Sequence, residues 1–163
     1  MISRIETNIL VNPFTNYNYY DILIDGISLE ETILKNLNIE IKKGLVSTFL
    51  NWLSNPSERE TIWKRTLPEI DQTTFLPILM CGEDLDLLCD VIIAETVTDN
   101  NYVYWKRFGL DIGNGENMPK SIGKNVQWFM NSSEIIFDKN QYSEVLNKFR
   151  KYLNEENGNL CYK

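Results

Sequence analysis

The stretch that decides the fold is residues 87–108, which has the sequence LLCDVIIAETVTDNNYVYWKRF. Its two halves, residues 87–97 and 102–108, are rich in β-branched and aromatic residues, which favour extended strands. Between them, Thr98-Asp99-Asn100-Asn101 has the composition of a turn, because Asp and Asn side chains bond to their own backbone in turns. The pattern predicts a β-hairpin over residues 87–108.

Segments on both sides of the hairpin add strands to a central antiparallel sheet. They are short apolar or aromatic runs bounded by turn residues. The first is closed by Asp25-Gly26, and the last two follow a loop over residues 111–124 that contains Gly and Asn. The predicted strands are residues 19–24, 75–80, 126–130 and 134–137.

Helical spacing and capping residues predict four helices. Ser28, with Glu31 three residues later, forms a capping box that opens the first helix. Asp138 and Gln141 have the same spacing before the last helix. Its apolar stripe consists of Tyr142, Val145, Leu146, Phe149 and Leu153. The predicted helices begin at residue 29, span 45–54, run from a capping box at 57–60 through residue 64, and span 139–154.

No internal repeat, low-complexity tract or linker divides the chain. Its 163 residues, of which 43% are hydrophobic, are enough for one domain with a buried core. We therefore predict a single α+β domain over residues 1–163, with an N-terminal strand and short helices, a central antiparallel sheet and a C-terminal helix.

Composition excludes several classes of function. The chain has 16 Lys and Arg against 23 Asp and Glu, a formal net charge of −7, and no histidine. The negative charge argues against a nucleic-acid binder, because neutralising phosphates takes clustered Lys and Arg. Without histidine there can be no Ser-His-Asp or Cys-His triad and no His metal site. The composition thus disfavours an enzyme.

The sequence favours a cytoplasmic location. Glu6 interrupts the region where a signal peptide needs an apolar core, and the apolar runs are far shorter than the roughly 20 residues that span a bilayer. The three cysteines, an odd number, fit a reducing compartment better than a disulfide framework. We therefore expect a cytoplasmic protein without a membrane partner.

The acidic residues are concentrated in one interval. Between Arg65 and Lys106 there is no Lys or Arg, and outside the interval the charges nearly cancel, 16 basic residues against 15 acidic. Four acids precede the apolar strand that begins at Val91, so they would concentrate negative potential at one edge of the sheet. The interval contains eight acids: Glu69, Asp71, Glu83, Asp84, Asp86, Asp90, Glu95 and Asp99.

Such an acidic loop is either solvated surface, a site for a hard cation such as Ca²⁺, or a surface for a basic protein. The glycine and the distal glutamate of a twelve-residue calcium loop are missing, which favours a protein partner over Ca²⁺. We predict that the partner-binding residues are Glu83, Asp84, Asp86 and Asp90, with Asp99 as a further candidate.

Other candidate chemistry is weaker. A structural zinc site usually takes four Cys or His ligands, and only Cys161 could join Cys81 and Cys89. The pair is therefore predicted to be buried structural thiols, with no metal and no cofactor. The surrounding acids would also raise the pKa of a cysteine nucleophile. The carboxylate pairs Asp84/Asp86 and Glu69/Asp71 leave open a hydrolase.

The sequence of residues 76–95, LPILMCGEDLDLLCDVIIAE, followed by VYWKRFGL at 103–110, resembles a known family. It is similar to bacterial immunity proteins encoded beside polymorphic or contact-dependent growth-inhibition toxins. The resemblance lies in residues 76–111, in an apolar strand, an acidic loop and a Val-x-Trp strand.

The resemblance implies a non-catalytic cytoplasmic protein that binds and blocks a cognate toxin domain. A toxin that cuts nucleic acid presents a basic surface, and an acidic protein can imitate the phosphate backbone. Two alternatives remain open at this point: a small carboxylate- or cation-dependent hydrolase, and an adaptor protein unrelated to toxins. The oligomeric state is not predicted.

Overall fold

The long hairpin of residues 92–111 lies in the middle of the larger of two sheets. The structure is a computed structural model that describes residues 1–11, 16, 18–37, 44–49, 53 and 55–155. Within these residues there are three helices and nine strands. They are β1 (Ile5–Val11), β2 (Asn18–Ile24), β3 (Ile27–Ser28), α1 (Leu29–Leu37), β4 (Leu45–Ser47), α2 (Pro56–Arg65), β5 (Thr73–Cys81), β6 (Ile92–Thr98), β7 (Tyr102–Asp111), β8 (Val126–Trp128), β9 (Ile135–Asp138) and α3 (Lys139–Glu155).

The larger sheet is antiparallel, with the strand order β4-β5-β6-β7-β8. Strand β9 pairs with the first half of β7, and β8 pairs with its second half. The smaller sheet has the order β1-β2-β3. The α+β class, the mostly antiparallel sheet and the C-terminal helix are confirmed.

The predicted hairpin is confirmed as β6 and β7, in a register that pairs Thr98 with Val103. Its first strand begins at Ile92 and not at Leu87. The reason is local, because the Asp86 side chain accepts the Leu88 N–H at 2.9 Å and Asp90 has a φ of 24°. Neither arrangement is compatible with an extended strand.

The predicted turn at Asp25-Gly26 and the predicted start of α1 are also confirmed. Asp25 and Gly26 have φ values of 52° and 80°, which is the left-handed pair of a tight hairpin turn. The Ser28 hydroxyl accepts the Glu31 N–H at 3.3 Å and so caps α1. Leu29, Ile33 and Leu37 of this helix are buried, as helical spacing predicts.

The core lies between the larger sheet and α3. The ring of Trp105 on β7 meets Phe137 on β9 with 5.0 Å between the ring centres. Asp138 caps α3 by accepting the Gln141 N–H at 2.9 Å. The buried Tyr142 of α3 donates its hydroxyl to the Thr66 carbonyl at 3.0 Å, which joins α3 to the end of α2. The predicted apolar stripe of α3 is thus confirmed as its buried face.

One predicted helix is wrong at its start, and a second is confirmed with a different capping residue. Residues 45–47 form β4, paired with residues 79–81 of β5, because Leu45 and Ser47 both point inward at a spacing of two. The rest of the predicted 45–54 helix lies largely outside the described residues. Helix α2 is capped by Asn55 and not by Ser57: the Asn55 side chain accepts the Ser57 N–H at 2.9 Å. Pro56 then takes the first turn, where its missing N–H costs nothing.

None of the helices in the described ranges is long and apolar enough to cross a membrane.

Candidate functional site

The acidic loop, residues 82–91, connects β5 to β6 at one end of the larger sheet. Its ends are held by the backbone: the Gly82 N–H bonds to the Gly44 carbonyl at 2.9 Å, and the Val91 carbonyl accepts the Asp111 N–H at 2.9 Å. The loop is therefore anchored to β7 and to the residue before β4. It contains four of the five predicted site residues: Glu83, Asp84, Asp86 and Asp90.

Leu87 fixes the middle of the acidic loop to the core. Its side chain is only 2% exposed and belongs to the main apolar cluster. The turn before it is closed by the Leu85 N–H, which bonds to the Cys81 carbonyl at 3.1 Å. Leu85 has a φ of 52°, in the left-handed region. The acids around Leu87 are therefore held on a loop of defined shape.

The acids of the loop differ from Glu95 of the same interval in their partners. Glu95 forms an ion pair with Arg107 at 2.6 Å. Among the described residues, no ion pair joins Glu83, Asp84 or Asp86 to a Lys or Arg. Glu83 and Asp84 are exposed, and Asp86 is half-buried. The loop thus presents carboxylates whose charge is available to a partner.

Glu58 adds a fifth carboxyl group beneath the loop. It lies in the first turn of α2, is 7% exposed, and accepts a hydrogen bond from the backbone of Leu87. Burial, followed by repulsion from Asp86, raises its pKa. Nothing in the sequence connects Glu58 with residues 82–91, because the contact depends on how α2 packs.

Two exposed apolar side chains lie at the same end of the sheet. Leu88 is 65% exposed, although its Cδ2 lies close to Gly115 of the following loop. Ile112, directly after β7, is 49% exposed. This end of the molecule therefore combines acidic and apolar surface.

Asp99 is not part of this surface, because it lies in the turn at the other end of β6. The length of β6 separates it from the acidic loop by roughly 20 Å. Its carboxylate accepts the Asn101 and Tyr102 N–H groups at 2.8 and 2.7 Å, and the Tyr104 hydroxyl at 2.7 Å. These bonds, led by that of Tyr104, lower the pKa of Asp99. The carboxylate is thus used by the turn.

Two further acids lie with Asp99 rather than with the acidic loop. Glu69 and Asp71 are exposed just before β5, whose first residue, Thr73, pairs with Val97 near the end of β6. The acidic interval of the sequence is therefore divided between the two ends of the sheet.

Cys81, Asp84 and Cys89 come together at the base of the acidic loop. Their two sulfurs and a carboxylate oxygen all lie within 4.8 Å of one another. Both thiols are half-buried and not fully buried as predicted. As the sequence predicts, a neighbouring acid acts on the thiol: Asp84, followed by Cys81, raises the pKa of Cys89 to about 12. Cys161 lies outside the described residues.

Another buried carboxyl group lies on the small sheet. Asp21 of β2 is 6% exposed, and burial raises its pKa to about 7, with a smaller contribution from Glu30. Its Oδ1 accepts the Ile22 N–H at 2.7 Å. Asp21 is not among the carboxylates on which the hydrolase alternative rests, which are the pairs Asp84/Asp86 and Glu69/Asp71.

An open groove of about 460 Å³ lies between α2 and residues 119–120. Two of its cations already have partners: Lys64 pairs with Glu60 at 2.9 Å, and Arg65 donates to the carbonyls of Phe75 and Ile122 at 2.9 and 2.6 Å. Arg65 therefore holds the loop that follows β7 against β5.

No known family model matches the chain, and no curated protein or solved structure shows significant similarity to it.

Proposed function

We propose that this chain is an immunity protein that binds a cognate toxin domain in the cytoplasm and blocks it, without catalysing a reaction itself. The contact surface is the acidic loop, and the partner presents a basic surface of the kind used to bind nucleic acid. The observation that carries the proposal is that no Lys or Arg among the described residues forms an ion pair with Glu83, Asp84 or Asp86.

The electrostatics of the loop support a cationic partner. Like charges held close together on an anchored loop repel one another, which costs stability in the free protein. Glu58 beneath the loop feels this charge, because repulsion from Asp86 adds to the effect of burial in raising its pKa. A basic surface would remove the repulsion on binding, and complementary charge would speed the encounter and exclude wrong partners.

The apolar residues beside the acids support a protein partner over a small cation. Interfaces between proteins have an apolar centre within a polar rim, and a few side chains at the centre supply most of the affinity. Leu88 is 65% exposed within the acidic loop, so it can serve as such a centre. A metal ion would gain nothing from it.

The test is direct binding to the toxin domain encoded by the neighbouring gene. We expect that gene to encode a large secreted protein with a variable C-terminal domain. The variant carries Glu83→Gln, Asp84→Asn, Asp86→Asn and Asp90→Asn, which changes the net charge from −7 to −3. At low salt it should associate at least about tenfold more slowly than the natural chain, and its rate should depend less on salt.

The matched control removes the same charge elsewhere. It carries Glu69→Gln, Asp71→Asn, Glu144→Gln and Glu155→Gln, all at exposed positions outside the acidic loop. We expect it to bind like the natural chain apart from a small uniform effect of net charge. Equal association rates for the two variants would show that the acidic loop is not the contact surface. Tight binding to a neighbour that is not a toxin would favour the adaptor alternative.

A further inference from the structure

We propose that Cys81, Asp84 and Cys89 form a binding site for a thiophilic divalent cation, with Zn²⁺ as the fitting ion. The two Sγ atoms and a carboxylate oxygen of Asp84 lie within 4.8 Å of one another. This inference does not depend on the proposed function, because it concerns a metal ion and requires no partner protein.

The backbone of the acidic loop brings the three ligands together. The Leu85 N–H bonds to the Cys81 carbonyl at 3.1 Å, which closes a single helical turn. In such a turn, residues three apart lie on the same side, so Asp84 comes to lie beside Cys81. Leu87, 2% exposed, fixes the returning part of the loop to the core and so holds Cys89 opposite them.

The ligand set suits zinc and excludes hard cations. Cys sulfur and carboxylate oxygen are both zinc ligands, with bonds of about 2.3 and 2.0–2.2 Å, so tetrahedral donors lie roughly 3.5–3.8 Å apart. The present separations are at most 4.8 Å, so closing the cluster takes a contraction of at most about 1.3 Å. This is within reach of side-chain rotation at exposed Asp84 and the half-buried thiols. Two thiolates disfavour Mg²⁺ and Ca²⁺, which prefer oxygen ligands.

Three protein ligands leave a fourth position for water. The site opens at the surface, since Asp84 is exposed, so the ion has a path of entry. Binding would release the two thiol protons to solvent. The negative charge of Glu83 and Asp86 on the same loop favours a cation there.

Cobalt and zinc titrations of the reduced full chain test the proposal. We expect one equivalent of Co²⁺ to bind with thiolate charge-transfer absorption that Zn²⁺ abolishes by displacement. Zn²⁺ should protect two of the three thiols from a thiol reagent and raise Tm by about 5 °C or more at a hundredfold excess over Kd. Mg²⁺ and Ca²⁺ should do neither.

Single substitutions assign the ligands. Cys81→Ser and Cys89→Ser should abolish the charge-transfer absorption. Asp84→Asn should weaken Zn²⁺ binding by at least the roughly tenfold that even an outer-shell partner contributes. The matched controls, Cys161→Ser and Glu69→Gln, of which the second lies at the other end of the sheet, should leave both the absorption and the Zn²⁺ affinity unchanged. Cys89 and Asp84 lie on the loop, so their variants keep the test valid if Cys81→Ser, in β5, does not fold.

Three results would overturn the proposal. The first is no cobalt–thiolate absorption with the reduced chain, and the second is unchanged absorption in Cys89→Ser. The third is a Cys81–Cys89 disulfide in protein purified without reductant, combined with no Zn²⁺ uptake after reduction.

Discussion

The two ends of the larger sheet carry acidic residues in opposite ways. At the turn end, where β6 turns into β7, the Asp99 carboxylate accepts three hydrogen bonds of 2.7–2.8 Å, and its pKa is lowered. At the loop end, which carries the acidic loop, burial and Asp86 raise the pKa of Glu58. The fold therefore favours the ionised form of Asp99 at the turn end and disfavours the ionised form of Glu58 at the loop end.

This difference separates acids that build the structure from acids that are available to a partner. Asp99 and Asp86 belong to one uninterrupted acidic interval of the sequence. The Asp99 carboxylate accepts bonds from a tyrosine hydroxyl and two backbone N–H groups, whereas the Asp86 carboxylate accepts the Leu88 N–H and faces Glu58. Repulsion that a folded protein retains on its surface is relieved when a cationic group binds there.

The largest effect is expected from two adjacent leucines at the loop end. Leu87→Ala should lower the free energy of unfolding by about 2–5 kcal/mol, because it leaves a cavity where a buried side chain anchored the loop. Leu88→Ala should change it by no more than about 0.5 kcal/mol, yet weaken binding of the toxin domain about tenfold or more. Urea denaturation and a binding titration measure the two quantities.

Leu67→Ala is the control for Leu88→Ala, since Leu67 is another exposed leucine and lies outside the acidic loop. Leu67→Ala should change neither the free energy of unfolding nor the affinity for the toxin domain. If Leu88→Ala destabilises the chain as much as Leu87→Ala does, the two side chains do not have separate roles. If it leaves binding intact, Leu88 is not the centre of the interface.

At the turn end, the expected effect is on stability alone. Asp99→Ala removes three hydrogen bonds to one carboxylate, so Tm should fall by several degrees, whereas Tyr104→Phe, which removes one of them, should cost less. Because the pKa of Asp99 is lowered, its contribution is present above its ordinary pKa of 3.8 and is lost as the pH falls through the lowered value. Thermal melts over the acidic range measure this loss.

Asp99→Asn serves as the control at this end, because its amide oxygen can still accept the two N–H bonds of the turn. It should be more stable than Asp99→Ala and lack the acid-range dependence. Neither variant should change the association rate with the toxin domain. A loss of binding equal to that of the four-fold loop variant would show that the two ends act as one surface.

Local signals explain what could be predicted from the sequence. The β6–β7 hairpin and the caps at Ser28 and Asp138 depend on residues within a few positions of one another, and all three are confirmed. The strand β4 was not predictable, because the spacing of Leu45 and Phe49 also suits a helix and only pairing with β5 decides between them.

The candidate site was predictable in its residue types but not in its grouping. The acids of the interval are visible in the sequence, but the topology decides which end of the sheet each one reaches. Cys81 and Cys89 are equally visible, whereas the approach of Asp84 depends on the turn closed by Leu85. Contacts made by distant helices, such as that of Glu58 with Leu87, leave no mark in the sequence.

The smallest expected effect concerns Glu58 and gives the loop end a pH dependence opposite to that of Asp99. Because the folded protein holds the Glu58 proton more tightly than the unfolded chain, stability from this group is full below its ordinary pKa of 4.5 and falls as the pH rises through the raised value. Glu58→Gln should remove this loss and make the chain more stable near pH 8, by less than about 1 kcal/mol. Urea denaturation near pH 4 and pH 8 measures it.

Asp86→Asn separates the two causes of the raised pKa of Glu58. It removes the repulsion, leaves the burial, and retains an oxygen that can accept the Leu88 N–H. The pKa of Glu58, followed by NMR of its carboxyl carbon, should therefore fall only part of the way to 4.5, whereas Glu69→Gln at the other end should leave it unchanged. If Asp86→Asn leaves the pKa of Glu58 unchanged, burial alone raises that pKa. The acids of the loop would then not repel one another enough to favour a basic partner.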